Sequence, residues 1–245
     1  MPAPEVRLEN SDAVYEYYLR HRQNRLQAMG AYALLGRRFH PRVTYADGAK
    51  EQLKRLVVAG RRLVISVNHL SEQDPYTLAA AAWRSPLRPI IGRVRVLAKD
   101  ELFLDAKQRK RVEMMGAIPV FRGKNHGVRA VATAGQQMMD VCATRMAHGD
   151  DLAIFPEGTC NYEDVTQVQP VGSGIGHIVF RARKLGVEPA LVFVGLSYGP
   201  RGDQVKSASY YFGAPVTDIP TKPAEITRLV RAHMQDALTG AVARY

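Results

Sequence analysis

Two residues able to do acid–base chemistry, His69 and Asp74, stand five apart just after a short apolar run, Arg61-Arg-Leu-Val-Ile-Ser-Val67. That spacing does not stack two side chains on one helix face, but a tight loop or helix-start turn folds the carboxylate back onto the imidazole. A carboxylate on one ring nitrogen fixes the tautomer and stabilises the imidazolium, and the other nitrogen is then free to deprotonate a hydroxyl. No nucleophile elbow of the Gly-x-Ser-x-Gly kind is expected, so the nucleophile would be the substrate's own hydroxyl. Taken alone, a histidine and an aspartate at this spacing are as readily a structural pair.

Phe155-Pro-Glu-Gly-Thr159 follows a second apolar run. Gly158 permits close approach of the backbone to a ligand, and the amides beyond it can face an anion. Glu157 could bond a polyol hydroxyl or hold a catalytic loop; on turn chemistry alone the segment is an ordinary turn. Gly116-Ala-Ile-Pro-Val-Phe-Arg122 would deliver an arginine at a strand end, suited to bidentate phosphate recognition or simply solvated. Cys160 beside this loop reads as a bystander thiol. Gly172, Gly174 and Gly176 before His177 form no dinucleotide fingerprint, and the other histidines read as ordinary surface or core residues.

Strands alternating with helices must position these groups. The pattern predicts strands at 42–45, 61–67, 89–97, 117–121, 151–155 and 190–196, with a possible edge strand at 208–212. Helices are expected at 49–59, 75–83, 101–114, 127–147, 177–185 and 224–238. The fold class is α/β: a single layered domain with a mostly parallel central sheet flanked by helices, plus an N-terminal helical extension. Residues 1–40 are read as a loose tail and one amphipathic helix over 12–38, and residues 41–245 as the domain. The helix either packs on the body with a solvated basic face or lies in a lipid interface.

The 245 residues are 46% hydrophobic, 23% charged and 8% aromatic, which excludes a wholly disordered or fibrous chain. A net charge of +11 favours polyanionic partners, with local excesses of +8 over 84–129 and +6 over 1–62. Neither a signal peptide nor an apolar run approaching the roughly twenty residues of a membrane span is read, so a cytoplasmic protein is expected, peripherally associated with the inner face of the membrane. Two cysteines, Cys142 and Cys160, argue against a disulfide framework and a zinc site, and no metal is expected. No zinc spacing, aromatic RNA-binding strand or helix-turn-helix pattern supports nucleic acid as partner.

Together, Asn68-His-Leu-Ser-Glu-Gln-Asp74, Gly116–Arg122 and Phe155–Thr159, in this order and separation, resemble the glycerolipid acyltransferase family, whose best-known members acylate lysophosphatidic acid. Lys99-Asp-Glu-Leu102 resembles the Lys-x-Glu-Leu segment between the first two blocks. The resemblance implies an O-acyltransferase, without a separate cofactor, that moves a fatty acyl group from acyl-CoA or acyl-carrier protein to a lysophospholipid acceptor. His69 would be the general base and Asp74 its orienting partner, with direct transfer and no acyl-enzyme. Arg122 would hold the acceptor phosphate, and Lys99, Glu157, Gly158 and Thr159 would line the substrate site. The chain departs from the family pattern where Arg-Ser usually follows the third block: Cys160-Asn161 stand there. Val171-Gly-Ser-Gly174 is uncharged where a lysine loop is usual, and Phe193-Val-Gly-Leu196 lacks the family proline. These changes admit a less anionic acceptor (another lysophospholipid, glycerol 3-phosphate, a glycolipid or a secondary-metabolite alcohol), with Lys124 or Arg129 as replacement cations. A non-enzymatic basic binder of lipid or nucleic acid is the remote alternative.

Overall fold

The computed structural model describes residues 3–200 and 202–245. In chain order its helices are α1 Ser11–Arg20, α2 Arg25–Arg38, α3 Ala49–Val58, α4 Asp74–Trp83, α5 Ala106–Met114, α6 Gly123–His126, α7 Ala132–Ala147, α8 Gly174–Lys184 and α9 Pro223–Ala243. The strands are β1 Arg42–Tyr45, β2 Leu63–Val67, β3 Val94–Lys99, β4 Ala117–Val120, β5 Asp151–Ile154, β6 Ala190–Ser197 and β7 Ser209–Phe212, in the sheet order β1-β7-β6-β2-β5-β3-β4. From β6 to β4 all five strands run parallel, whereas β7 is antiparallel to β6 and carries β1 parallel to itself.

The sheet is covered on both faces, so its central strands need no polar side. Along β2, Val64 packs with α7, α8 and α9, while Leu63, Ile65 and Val67 pack with α3 and α4. Leu191 and Phe193 of β6 join the first face, and Val192, Val194 and Leu196 the second. Gly195 is required by this packing, because a Cβ there would lie 1.9 Å from the Ala237 carbonyl oxygen of α9.

The N-terminal segment differs from the expected single helix and loose tail. Asn24 accepts a hydrogen bond from the Gln27 amide at 3.1 Å, capping α2. At the end of α1, the Leu19 carbonyl accepts from Arg145 and the His21 carbonyl from Arg95. These arginines share Asp150 Oδ2, at 2.7 Å from Arg145 Nε and 2.6 Å from Arg95 Nε. A buried ionic triad thus receives the carbonyls that a continuous helix would have used itself. Val6 is buried and Leu8–Asn10 form a 3-10 turn, so the expected loose tail is tied down in part; Met1 and Pro2 lie outside the described residues.

Other boundaries also move. The expected edge strand at 208–212 is β7, inside the sheet between β1 and β6, and the edges are β1 and β4. The strand placed at 89–97 begins only at Val94, after a 3-10 turn at Arg88–Ile90. The helix placed at 101–114 splits into a 3-10 turn, Asp100–Phe103, and α5, whose cap Asp105 accepts from the Gln108 amide.

Candidate active site

The five parallel strands end at one edge of the sheet, the edge at which open α/β sheets carry their ligands. His69 follows β2, Lys99 closes β3, Arg122 follows β4, Glu157 follows β5 and Tyr198 follows β6. Asn68 continues the β2–β6 ladder with its side chain, donating to the Leu196 carbonyl at 3.0 Å and accepting the Leu196 amide at 2.7 Å. This bond pair fixes the chain immediately before the histidine.

Asp74 opens α4, with Pro75 in the first helical turn, where its missing N–H is no loss. Its carboxylate folds back over the loop as the spacing suggested. Oδ2 lies 2.7 Å from His69 Nδ1 and accepts the amides of Leu70 at 2.6 Å and Ser71 at 3.0 Å. A carboxylate only accepts, so Nδ1 of His69 carries a proton, and in the neutral imidazole Nε2 is the acceptor. The ring stacks on Phe155, centroids 4.4 Å apart. Oδ1 of Asp74 accepts from the Tyr198 hydroxyl at 2.6 Å. Burial holds the Tyr198 phenol far above its ordinary range, so it remains a donor. Thr77 Oγ1 lies 3.0 Å from the Tyr198 hydroxyl and 2.7 Å from that of Tyr210, extending the chain into the core.

Glu157 is positioned as a loop clamp. Oε1 accepts the His69 amide at 2.8 Å and Oε2 the Gln169 amide at 2.9 Å, and the residue does not line the adjoining cavity. Burial raises its pKa above the usual carboxylate range, against the pull of those two amides. The expected contact of Glu157 with substrate is therefore replaced by a contact with backbone. Gly158 next to it has φ +72°, a left-handed turn conformation suited to glycine. The loop returns to the histidine through the Asn161 amide, which donates to the His69 carbonyl at 2.7 Å.

Beside His69 lies a cavity of about 750 Å³. Exposed Glu72 and Tyr162 mark its opening, and buried Leu87, Ile90 and Ile91 its inner end. Lys99, Arg122, Lys124, Gly158, Thr159 and Cys160 share the polar part, whereas Arg129 is not in the lining. Arg122, the expected phosphate-binding cation, and Lys99, expected in the substrate site, already have partners. Lys99 Nζ is 2.8 Å from Glu72 Oε1, and Arg122 Nη2 is 2.6 Å from Glu101 Oε1. The Lys99 ammonium holds Glu72 below the usual carboxylate range. Burial works to raise Glu101, but hydrogen bonds, including that from Arg122, outweigh it and leave Glu101 low as well.

Three features escaped the sequence reading. Tyr198 lies 124 residues from the aspartate it serves, with no local pattern to announce it. Cys160 Sγ sits 3.5 Å from His69 Nε2, far closer than a bystander position implies. Gly195-Leu-Ser-Tyr-Gly199 does carry the elbow spacing thought absent, but Ser197 ends β6, is buried, accepts the Gly199 amide and does not line the cavity. It is no elbow, since the nucleophile of one stands exposed on a strand-to-helix turn.

Among the described residues, no helix is long and apolar enough to cross a membrane. No curated protein matches the chain. The family model for Acyltransferase matches residues 47–197, more than half of the chain and a span containing His69, Asp74, Arg122 and Glu157. The chain belongs to the Acyltransferase family, the glycerolipid type that its three motif blocks resemble.

Proposed function

We infer that the protein transfers a fatty acyl group from an acyl thioester, acyl-CoA or acyl-carrier protein, to a glycerolipid hydroxyl. Lysophosphatidic acid, giving phosphatidic acid for phospholipid biosynthesis, is the leading acceptor. The observation that carries this reading is the His69–Asp74 pair at 2.7 Å beside a cavity with an apolar inner end. Nε2 takes the proton of the acceptor hydroxyl and its oxygen attacks the thioester carbonyl. The carbon–sulfur bond breaks, and the leaving thiolate recovers the proton from the imidazolium, which Asp74 stabilises meanwhile. An alkyl chain fits the cavity between α4 and the sheet, where each buried methylene contributes about 0.8 kcal/mol. Lys99, Arg122 and Lys124 supply the cations for a phosphate.

The ion pairs of Lys99 and Arg122 favour a second reading, in which the acceptor has little negative charge. A dianionic phosphate would have to displace Glu72 and Glu101, whereas a glycolipid or other alcohol would not. In both readings the enzyme works at an anionic membrane surface from the cytoplasmic side. Leu26 and Leu34 of α2 are 85% and 66% exposed among exposed arginines, and Tyr32 of the same helix reaches the inner cavity.

The test is release of CoA thiol from palmitoyl-CoA, with and without lysophosphatidic acid, beside H69A. Acceptor-dependent release lost in H69A supports the leading reading. Release only with an uncharged lysolipid or glycolipid shifts it to the second. Equal release with and without any acceptor means thioester hydrolysis and overturns both.

A further inference from the structure

We propose that Tyr210 of β7 and Thr77 of α4 are positioning residues for the reaction, holding Asp74 behind His69 through a row of hydroxyls that all point one way. This rests on the acyl-transfer reading and adds residues that serve its base from a distance. Oδ2 of Asp74 receives His69 Nδ1 and the amides of Leu70 and Ser71. Among the described residues Oδ1 has a single partner, the Tyr198 hydroxyl at 2.6 Å. The carboxylate is fully buried, so its orientation depends on that bond and on whatever steadies the Tyr198 hydroxyl. A carboxylate only accepts, so the Tyr198 proton goes to Oδ1 and the Tyr198 oxygen is left to accept. Among the described residues the buried Tyr210 hydroxyl has Thr77 Oγ1 as its partner, at 2.7 Å, and gives its proton there. Thr77 then has one proton and two acceptors: the Tyr198 oxygen at 3.0 Å and, farther off, the Asp74 carbonyl at 3.2 Å. The row therefore runs from Tyr210 to Thr77 to Tyr198 to Asp74.

Hydrogen-bonded hydroxyls in a dry interior polarise one another, so the last donor is strengthened by those behind it. Without the Tyr210 proton Thr77 is a weaker donor, the Tyr198 hydroxyl is less firmly oriented, and Oδ1 is freer to turn from its place behind His69. The fold brings the row together from three elements. Thr77 stands three residues after Asp74 in α4 and so shares its helix face. Tyr198 follows β6, and Tyr210 sits opposite Leu196 where β7 runs back along that strand. Both phenols lie beyond the family span of residues 47–197, so no motif block of the family contains them. Tyr210 belongs to an apolar cluster with Leu196, Ala208 and Phe212. A phenylalanine would serve that packing with no polar atom to bury, and the hydroxyl is accounted for by the row it begins. Burial holds the Tyr210 phenol far above its ordinary range, so it remains a donor.

Tyr210→Phe in the full-length protein should lower kcat of acyl transfer about two- to threefold at unchanged KM, less than Tyr198→Phe, because polarisation passes on only part of each bond. In a Tyr198→Phe background, where the row is already cut, adding Tyr210→Phe should change kcat no further, since members of one network are not additive. Thr77→Val, which keeps the side-chain shape, should lose at least as much as Tyr210→Phe. Thr77→Ser, which keeps the hydroxyl, should recover most of that loss, and this pair makes the same test if Tyr210→Phe does not fold. The low-field proton NMR signal of His69 Nδ1 reads the contact with Asp74 without any substrate. It should move in Tyr210→Phe and Thr77→Val and stay near its parent position in Thr77→Ser. Losses that multiply in the double variant, or kcat and signal both unmoved while only the thermal midpoint falls, would make Tyr210 a packing residue and overturn the proposal. A signal that moves as expected in a protein that acylates no acceptor supports the hydroxyl row and instead fails the acyl-transfer reading.

Discussion

The Tyr198 hydroxyl donates to Asp74 Oδ1 at 2.6 Å, while Oδ2 of the same carboxylate faces His69. The aspartate is thus held from two strand ends, those of β6 and β2. Removing the tyrosine hydroxyl deletes a hydrogen bond to a buried charged group, worth about 1.5–3 kcal/mol. Tyr198→Phe should lower the unfolding free energy by that amount and reduce kcat several-fold with little change in KM, as expected of a positioning residue. Urea unfolding and steady-state kinetics check both; a KM effect alone would contradict it.

His69 and Asp74 should separate under mutation. His69→Ala removes the base and should cost about 10²–10⁴-fold in kcat, with a stability loss confined to its one hydrogen bond to Asp74, about 1.5–3 kcal/mol. Asp74→Asn should also lower activity. In addition it weakens the clamp on the Leu70 and Ser71 amides, at about 1.5–3 kcal/mol. Thermal unfolding of the pair distinguishes them, and equal midpoints would mean the clamp is not stabilising.

Acyl-chain preference should follow the cavity wall contributed by α4. Ala79 is 2% exposed and lines the cavity. Ala79→Leu fills that space and should disfavour long donors, by about 0.8 kcal/mol or roughly fourfold in kcat/KM for each methylene excluded. A donor series from octanoyl- to palmitoyl-CoA measures this, and an unchanged series would place the chain elsewhere.

Membrane binding should depend on α2. Replacing both Leu26 and Leu34 by Glu should weaken binding to phosphatidylglycerol vesicles at least tenfold, about 1.4 kcal/mol of lost apolar contact and added repulsion. Binding of the parent chain should fall in molar salt. Vesicle co-sedimentation reads both effects, and binding indifferent to salt and to the substitutions would exclude this face.

Stability should also respond to pH through Asp151, away from the site. Burial raises its carboxyl from 3.8 to about 6, although Oδ1 accepts the Leu63 amide at 2.8 Å. Between those values the folded chain binds a proton that the unfolded chain releases, so this residue's contribution falls as pH rises from about 4 to about 6 and is level above it. The span is at most about 3 kcal/mol. Asp151→Asn keeps an acceptor for the amide and should remove that slope. Urea midpoints from pH 4 to pH 7 would show it, and parallel curves for the two chains would refute it.

What local pattern encodes was readable, and what distant groups decide was not. The β-branched run of β2 and the alanine-rich α4 announce buried elements whatever surrounds them. The His69–Asp74 contact follows from a five-residue turn. The break after Arg20 had one local signal, the capping side chain of Asn24. Its other cause, carbonyl capture by Arg95 and Arg145, comes from residues far along the chain. β7 has the composition of an edge strand, and only its antiparallel pairing with β6 and the docking of β1 place it inside. Glu157 shows the same division: its motif was visible, but not that both oxygens face backbone.

The Arg95–Asp150–Arg145 triad has a consequence for where this chain can be cut. Its two guanidinium groups share one carboxylate and take the carbonyls of Leu19 and His21 as their remaining acceptors. A shortened chain beginning at Arg42 would strand two cations in a dry interior against a single anion, a deficit that buried sites tolerate poorly. It would also uncover Met115 and Ile91, against which α2 packs. The first forty residues are thus an electrostatic and apolar plug for the sheet, and an N-terminal deletion would be expected to yield aggregate instead of a smaller enzyme.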